Sequence, residues 1–299
     1  VEGTGVSEYG VQVLLDLATF SKIVFLKEGK YVAGKVAYFL LKDKLTEVNR
    51  KFTEDICYEG AAYLTDSIKN GKPEGLRVLG DWDTLYEGLQ LLPPGIKESW
   101  FDFDHYYSDT SFDSALKIAF SSKPKRLIDI GGNTGKWSRK CVAFDKDVSV
   151  TIVDLPGQIN AAKKNALTAE GGDRISFYPQ DMLKFDAKVP SDGDVYWMSQ
   201  FLDCFSKAEI IHILKTVCSS MKEGSEVIIM ETFVDRQKYP AAEFSLHCTS
   251  LYFTCMANGN SRMYALDPFV ECVEAAGLKV KELIDSVGVS HSILKCVKA

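Results

Sequence analysis

Two different apolar patterns divide the chain. Up to about residue 100, apolar positions recur at helical spacing. In EYGVQVLLDLATF, Val11, Leu14, Leu15 and Ala18 share one face of a helix. Two short β-prone runs follow, at residues 23–26 and 31–33, with a turn-like tetrapeptide at 27–30 between them. A helix followed by a small hairpin is the outline of a winged helix. The pattern is then interrupted in LLPPGIKESWFDFDHYYSD. Pro93, Pro94 and Gly95 disfavour helix, and a dense aromatic set follows: Trp100, Phe101, Phe103, Tyr106 and Tyr107. A domain boundary is expected here, with the aromatics either lining a substrate pocket or, the favoured reading, packed between domains.

From residue 123 onward, short apolar runs alternate with helical stretches. RLIDIG, VSVTIVD, ISFYPQD, DVYWMSQF and SEVIIMETF are each bounded by turn or acidic residues. QINAAKKNALTAEGG reads as a helix stopped by Gly171. SKAEIIHILKTVCSSMKEG opens with a capping box, Ser206 and Glu209, and then places Ile210, Ile213, Leu214, Val217 and Met221 on one face. DPFVECVEAAG has an Asp-Pro start and a glycine stop. This alternation predicts an α/β fold with a parallel, Rossmann-like sheet covered on both faces. The last two runs, LKVKELIDS and HSILKCVK, are joined by a short loop and should form an antiparallel edge hairpin. Residues 1–100 then form a mainly helical, winged-helix-like domain, expected to be truncated at its start, and residues 101–299 the α/β domain.

Composition narrows the function. With 299 residues, 46% of them hydrophobic, the chain can bury a large core. Its net charge of −6 gives no global footprint for nucleic acid. The front 100 residues carry 12 basic against 15 acidic side chains, which counts against DNA binding there too. No apolar run reaches the roughly 18 residues of a membrane span. No positively charged segment with an apolar core opens the chain, so a cytoplasmic protein is expected. None of the eight cysteines forms a CxxC pair, and their spacing fits no zinc site. Buried free thiols in a reducing compartment are expected, and no metal.

The glycine cluster in RLIDIGGNTGKWSRK carries the chemistry. A Walker A loop would need glycine at position 130 and Ser or Thr at 137, where Ile130 and Trp137 stand. A dinucleotide fingerprint would need glycine at 133 and 136, where Asn133 and Lys136 stand. What remains is a strand, an acidic residue (Asp129), and then Gly131, Gly132 and Gly135. Asp154 ends the next strand, where a carboxylate can accept from both ribose hydroxyls. Asp181 ends the one after, where it can accept from an adenine amino group with Met182 against the ring. Three carboxylates at successive strand ends face one crevice and would repel a pyrophosphate. They suit S-adenosylmethionine, which has a ribose, an adenine and a sulfonium but no phosphate. Ser199, at the end of the fourth run, is placed with the cofactor set.

These residues resemble class I S-adenosylmethionine-dependent methyltransferases, and among them the small-molecule O-methyltransferases of the plant caffeate and bacterial hydroxyindole type. IDIGGNTGKWS is similar to that family's glycine motif, VDLP to its ribose acid and QDM to its adenine acid. FLDCFSKAEIIHILKTVCSSMKEGSEVIIMETF resembles its catalytic segment and GNSRMYALDPFVECVEAAGLKV its late helix. The resemblance implies a seven-stranded sheet with the final hairpin antiparallel, S-adenosylhomocysteine as co-product, and a homodimer formed through the front domain, which contributes to the partner's pocket. It also exposes a departure. The family carries Leu-His-Asp-Trp, and its His takes the proton from the acceptor hydroxyl. Here the stretch is Leu202, Asp203, Cys204, Phe205, so Asp203 holds the His position. A late family glutamate falls on Ser261, before Arg262, while the acid after the fifth strand persists as Glu231.

Asp203, Glu231 and His247 are therefore the candidate catalytic residues. An exposed Asp has a pKa near 3.9, a poor match for a phenol near 10, but burial beside Phe201, Leu202 and Phe205 can raise it. His247 lies in the apolar helical stretch EFSLHCTSLYF, where a buried structural role competes with that of a base. His105 and His291 are further candidates, and His212 reads as solvated. The expected function is methyl transfer to a hydroxyl of a small aromatic or polyketide-like acceptor. Two alternatives stand: a cofactor-binding relative with lost or changed chemistry, and a winged-helix regulator with a ligand-sensing domain.

Overall fold

The computed structural model describes residues 3–299. The front of the chain is helical: α1 (Glu8–Phe20), a hairpin of β1 (Val24–Lys27) and β2 (Lys30–Ala33), then α2 (Lys35–Lys42), α3 (Lys44–Phe52), α4 (Leu64–Asn70) and the short α5 (Leu85–Gly88). Ser7 caps α1 by accepting from the Gly10 amide. The hairpin pairs antiparallel from Val24 opposite Ala33 to Lys27 opposite Lys30. No residue of α1 is buried. Of its anticipated apolar face, Val11, Leu15 and Ala18 are half-buried and Leu14 is exposed.

Next comes α6 (Pro94–Ala119), which corrects the reading of the proline-rich segment. Pro93 is the N-cap and Pro94 takes the first helical position, where a missing N–H costs nothing, so the prolines start a helix rather than break one. Residue 100 thus lies inside one 26-residue helix. Near the start of α6, Trp100 joins a core with Phe52, Leu85, Leu89 and Phe253. Near its end, Phe112, Ala115, Leu116 and Ala119 pack against the sheet.

The rest alternates as β3 (Arg126–Ile130), α7 (Lys136–Phe144), β4 (Ser149–Asp154), α8 (Pro156–Ala166), β5 (Ile175–Pro179), β6 (Val195–Ser199), α9 (Lys207–Ser220), β7 (Glu226–Glu231), α10 (Pro240–Tyr252), α11 (Leu266–Ala275), β8 (Leu278–Val287) and β9 (His291–Lys298). The seven strands β3 to β9 lie in the order β5-β4-β3-β6-β7-β9-β8. The first five are parallel, and β9 runs antiparallel to both β7 and β8. Ile128 and Ile130 face one core, with Met198, Ile213 and Phe269. Leu127 faces the other, with Val150, Ile152 and Trp197. Burial on both faces is why these strands read as unbroken apolar runs. The capping box of α9 forms as anticipated between Ser206 and Glu209. α8 stops at Ala166, earlier than its sequence suggested, and Gly171 (φ +73°) opens a 3₁₀ turn at Gly172–Arg174 instead. Among the described residues, no helix is long and apolar enough to cross a membrane, and no cluster of side chains could hold a metal ion.

Candidate active site

β3 and β6 are neighbours although β4 and β5 separate them in sequence, so the chain leaves them in opposite directions and a crevice opens at their carboxyl ends. A cavity of about 380 Å³ lies there. Its floor is the turn after β3. Gly131 takes φ +74°, a conformation that side chains rarely tolerate, and a Cβ there would overlap the Phe201 ring. A Cβ on Gly132 would press on the Asp129 carboxylate and Ile152. Gly131 and Gly132 both line the cavity. Gly135 does not; it is the N-cap of α7 at φ +74°, so its part is to turn the chain rather than touch a ligand.

Asp129, Asp154 and Asp181 all reach this cavity, together with Met182 and Ser199. Asp129 is buried and accepts from Ser138 Oγ at 2.5 Å; burial pushes its carboxyl up to about 7 despite that bond. Asp154 accepts from the amides of Asn133 at 2.8 Å and Leu155 at 2.7 Å, and burial carries it to about 6 against them. Asp181 accepts from the Leu183 amide at 2.9 Å. Asn133 Oδ1 and Gln200 Oε1, also on this wall, are buried without partners. A cradle kept clear by glycines, three carboxylates and unsatisfied amide oxygens fits an adenosyl cofactor rich in donors and free of phosphate.

At the far end lies Asp203, in the single turn Leu202–Cys204 between β6 and α9. It is 5% exposed and lines the cavity, and burial lifts its carboxyl to about 6. Ser206, not Asp203, caps α9. Glu231, at the end of β7, does not line the cavity. Its Oε1 accepts from the amides of Phe201 at 3.0 Å and Leu202 at 2.8 Å, so it holds the Asp203 turn from behind. Burial and then the Asp203 charge push Glu231 well above the usual carboxylate range. These contacts place it behind the turn rather than on the cavity wall. His247 is not the buried core residue its apolar stretch suggested: it is exposed on α10, 3.9 Å from Glu243, and does not line the cavity that a base would have to reach. His291 is buried against Ser111 at 2.9 Å, away from the cavity. Ser261 is buried and donates to Asn258 Oδ1 at 2.9 Å.

One cavity residue, Asp104, escaped the sequence, and His105, a further candidate there, lies beside it in the cavity. Asp104 accepts from Asn133 Nδ2 at 3.3 Å, and His105 lies 3.4 Å from Thr134 Oγ1 and stacks on Phe101. Both line the cavity from α6. The signal was the helical spacing of Trp100, Asp104 and Ser108, which the proline pair masked. The aromatic set divides: Trp100 and Phe103 line the cavity, whereas Tyr106 and Tyr107 do not. Trp100 Nε1 donates to the Tyr252 hydroxyl at 3.0 Å, and Phe103 stacks on Phe52 with centroids 3.9 Å apart.

A doubly covered sheet ending in an antiparallel hairpin, with a glycine turn and strand-end carboxylates around one crevice, defines the class of S-adenosylmethionine-dependent methyltransferases. The pattern of the O-methyltransferase domain matches residues 105–279, more than half of the chain, and the chain belongs to that family. It is 22% identical over 277 residues to an L-tyrosine C(3)-methyltransferase of Streptomyces lavendulae, covering 91% of this chain and 74% of that protein. It is 25% identical over 193 residues to the acetylserotonin O-methyltransferase of Bos taurus, covering 61% of this chain and 51% of that protein. Among solved structures, mitomycin 7-O-methyltransferase superposes with a TM-score of 0.76 at 18% identity, covering 100% of this chain and 86% of that one. An O-methyltransferase from neocarzinostatin biosynthesis, bound to S-adenosylmethionine and 2-hydroxy-5-methyl naphthoic acid, gives 0.76 at 17%, covering 99% and 86%. The structural likenesses establish the fold.

Proposed function

We propose that the protein transfers the methyl group of S-adenosylmethionine to a hydroxyl of a small aromatic acceptor, with Asp203 as the base. The observation that carries this is one cavity with the Asp129, Asp154 and Asp181 carboxylates at one end and a buried Asp203 among aromatic walls at the other. When bound, the cofactor supplies an electrophilic methyl on a sulfonium. Asp154 would hold its ribose, Asp181 and Met182 its adenine, and Asp129 with Gly131 and Ser199 its methionyl end. Trp100, Phe103 and Tyr252 flank the space for a flat acceptor, and holding it in line can supply roughly 7–11 kcal/mol. Asp203 takes the hydroxyl proton, and its raised carboxyl narrows the gap to a phenol.

The test is a panel of hydroxylated aromatics incubated with methyl-labelled cofactor, the product's attachment atom being read by NMR. Labelled O-methyl product supports the proposal. Calorimetric binding of S-adenosylhomocysteine without any turnover favours a relative with altered chemistry, and no binding at millimolar cofactor rejects both. Transfer to ring carbon, the activity named for the Streptomyces lavendulae relative, would keep the cofactor site and replace the acceptor atom.

We further propose that the elements before α6 form a winged-helix-like dimerisation domain and that the catalytic domain follows, the boundary expected at residue 100 moving to the start of α6 because that helix is continuous from Pro94 to Ala119. Leu17 (63% exposed) and Phe20 (88%) on α1, with Tyr38 and Leu41 on α2, present apolar surface of the kind a second copy covers. Sedimentation velocity should give a dimer, and the double variant Leu17→Asp, Phe20→Asp a monomer. A monomeric unaltered protein at micromolar concentration would reject this reading. The eight cysteines are all free thiols, which supports a cytoplasmic setting.

A further inference from the structure

Side chains at helical spacing along α6 fasten it to the glycine turn and to α7. Asp113 pairs with Lys140 at 3.1 Å, and Asp109 with Lys136. Both pairs reach α7, and with Phe112 and Leu116 against the sheet they dock the helix. Two further contacts reach the turn itself. His105 Nε2 lies 3.4 Å from Thr134 Oγ1, and Asp104 Oδ2 accepts from Asn133 Nδ2 at 3.3 Å.

Asn133 is the residue of the turn that most needs holding. Gly131 and Gly135 take positive φ without a Cβ, whereas Asn133 takes φ +49° with a full side chain. Its position matters, because its backbone N–H donates to Asp154 Oδ2 at 2.8 Å while the Leu155 N–H takes Oδ1 at 2.7 Å. The set of the Asp154 carboxylate therefore follows the set of the Asn133 peptide. Asp104 grips that residue by its side chain. It also fixes which way the amide points: a carboxylate accepts only, so the nitrogen faces Asp104 and the oxygen is turned away from it. Asp104, Asn133 and Asp154 all line the cavity, and together they form a chain of hydrogen bonds from α6 to the end of β4.

We propose that Asp104 is a positioning residue for the cofactor, acting through Asn133 to set the Asp154 carboxylate for the ribose. This rests on the reading that Asp154 holds the ribose. Calorimetry compares S-adenosylhomocysteine, adenosine, 2′,3′-dideoxyadenosine and 5′-methylthioadenosine. Asp104→Ala should weaken S-adenosylhomocysteine about tenfold, and the preference for adenosine over dideoxyadenosine should shrink by a similar factor. The ratio of S-adenosylhomocysteine to methylthioadenosine should stay unchanged, since both carry the ribose and differ only at the amino-acid end. Asp104→Asn, whose side-chain oxygen can still accept from Asn133, should recover most of the affinity. Asp113→Asn, which breaks a docking pair and leaves the turn alone, should change none of these values. Asn133→Gly closes the cycle: glycine takes the same φ without strain and offers no amide to hold, so adding Asp104→Ala to it should cost nothing further. The proposal is overturned if Asp104→Ala keeps the adenosine preference, if its loss falls on the amino-acid end instead, if Asp104→Asn fails to recover affinity, or if the loss is undiminished beside Asn133→Gly. An unaltered protein that does not prefer adenosine rejects the ribose reading and this proposal with it. A preference that survives Asp104→Ala rejects this proposal alone.

Discussion

Asp203→Asn lowers kcat by about 10²- to 10⁴-fold, the range that a positioned general base contributes. The side chain keeps its shape and its place in the Leu202–Cys204 turn, so the effect falls on proton removal rather than folding. The pH profile separates this from a packing effect. Burial raises the Asp203 carboxyl from 3.8 to about 6, and only the ionised form accepts a proton. Activity should therefore be lost as pH falls through about 6 and level off above it. Asp104 and Glu231 titrate in the same buried cluster, so this limb belongs to the group as a whole. In Asp203→Asn the residual rate should lose the limb. Initial rates of labelled methyl transfer between pH 5 and 9 decide it. A variant keeping half the rate at pH 8 would show that alignment alone suffices. Asp203→His, which restores the residue of the resembling family, should retain turnover with the limb moved toward the histidine range.

What could be read from the sequence, and what could not, follows from how local each signal is. The parallel sheet was legible because strands buried on both faces leave continuous runs such as RLIDI and VIIM, and the final hairpin because its two runs are separated by only three residues, Ser290 among them. Asp129, Asp154 and Asp181 were legible because a strand end is a sequence position as well as a place. α6 was not. Pro93 and Pro94 carry the same letters whether they end a helix or begin one, and only the packing of Phe112 and Leu116 against the sheet settles the choice. Asp104 went unseen with it, and His105 was named only as a further candidate, since their access to the glycine turn is set by how α6 crosses β3. His247 failed for the opposite reason. EFSLHCTSLYF reads as an apolar core helix, yet α10 leaves Phe244 70% exposed and His247 beside it in the open. Apolar positions on a helix recur with the same period whether they are buried or exposed, so the pattern alone does not tell the two apart. Glu231 was legible, but not the direction it faces: an acid after a strand can face the cavity or the loop, and here two backbone amides take one of its oxygens.

Asp154→Asn raises the dissociation constant for S-adenosylhomocysteine by about 10²-fold or more. The carboxylate already takes two backbone amides, one on each oxygen, and these fix the glycine turn against β4. The residue lines the cavity, and on the proposed reading its remaining lone pairs accept from both ribose hydroxyls. A hydrogen bond to a charged group contributes about 1.5–3 kcal/mol, and an amide nitrogen in place of one oxygen both loses an acceptor and confronts a donor with a donor. The penalty thus combines a missing bond with an unsatisfied buried hydroxyl. Burial holds the Asp154 carboxyl at about 6 when free, so protonation removes the same acceptor: affinity should weaken as pH falls through about 6, and Asp154→Asn should be flatter over that interval. Asp129, raised to about 7, adds its own loss at slightly higher pH, which the variant retains. Calorimetry at pH 8 and pH 5.5 reads both effects. The assignment to the ribose is isolated with fragments: the unaltered protein should prefer adenosine to 2′,3′-dideoxyadenosine, and Asp154→Asn should not. If the variant keeps that preference, the carboxylate serves the turn and not the sugar.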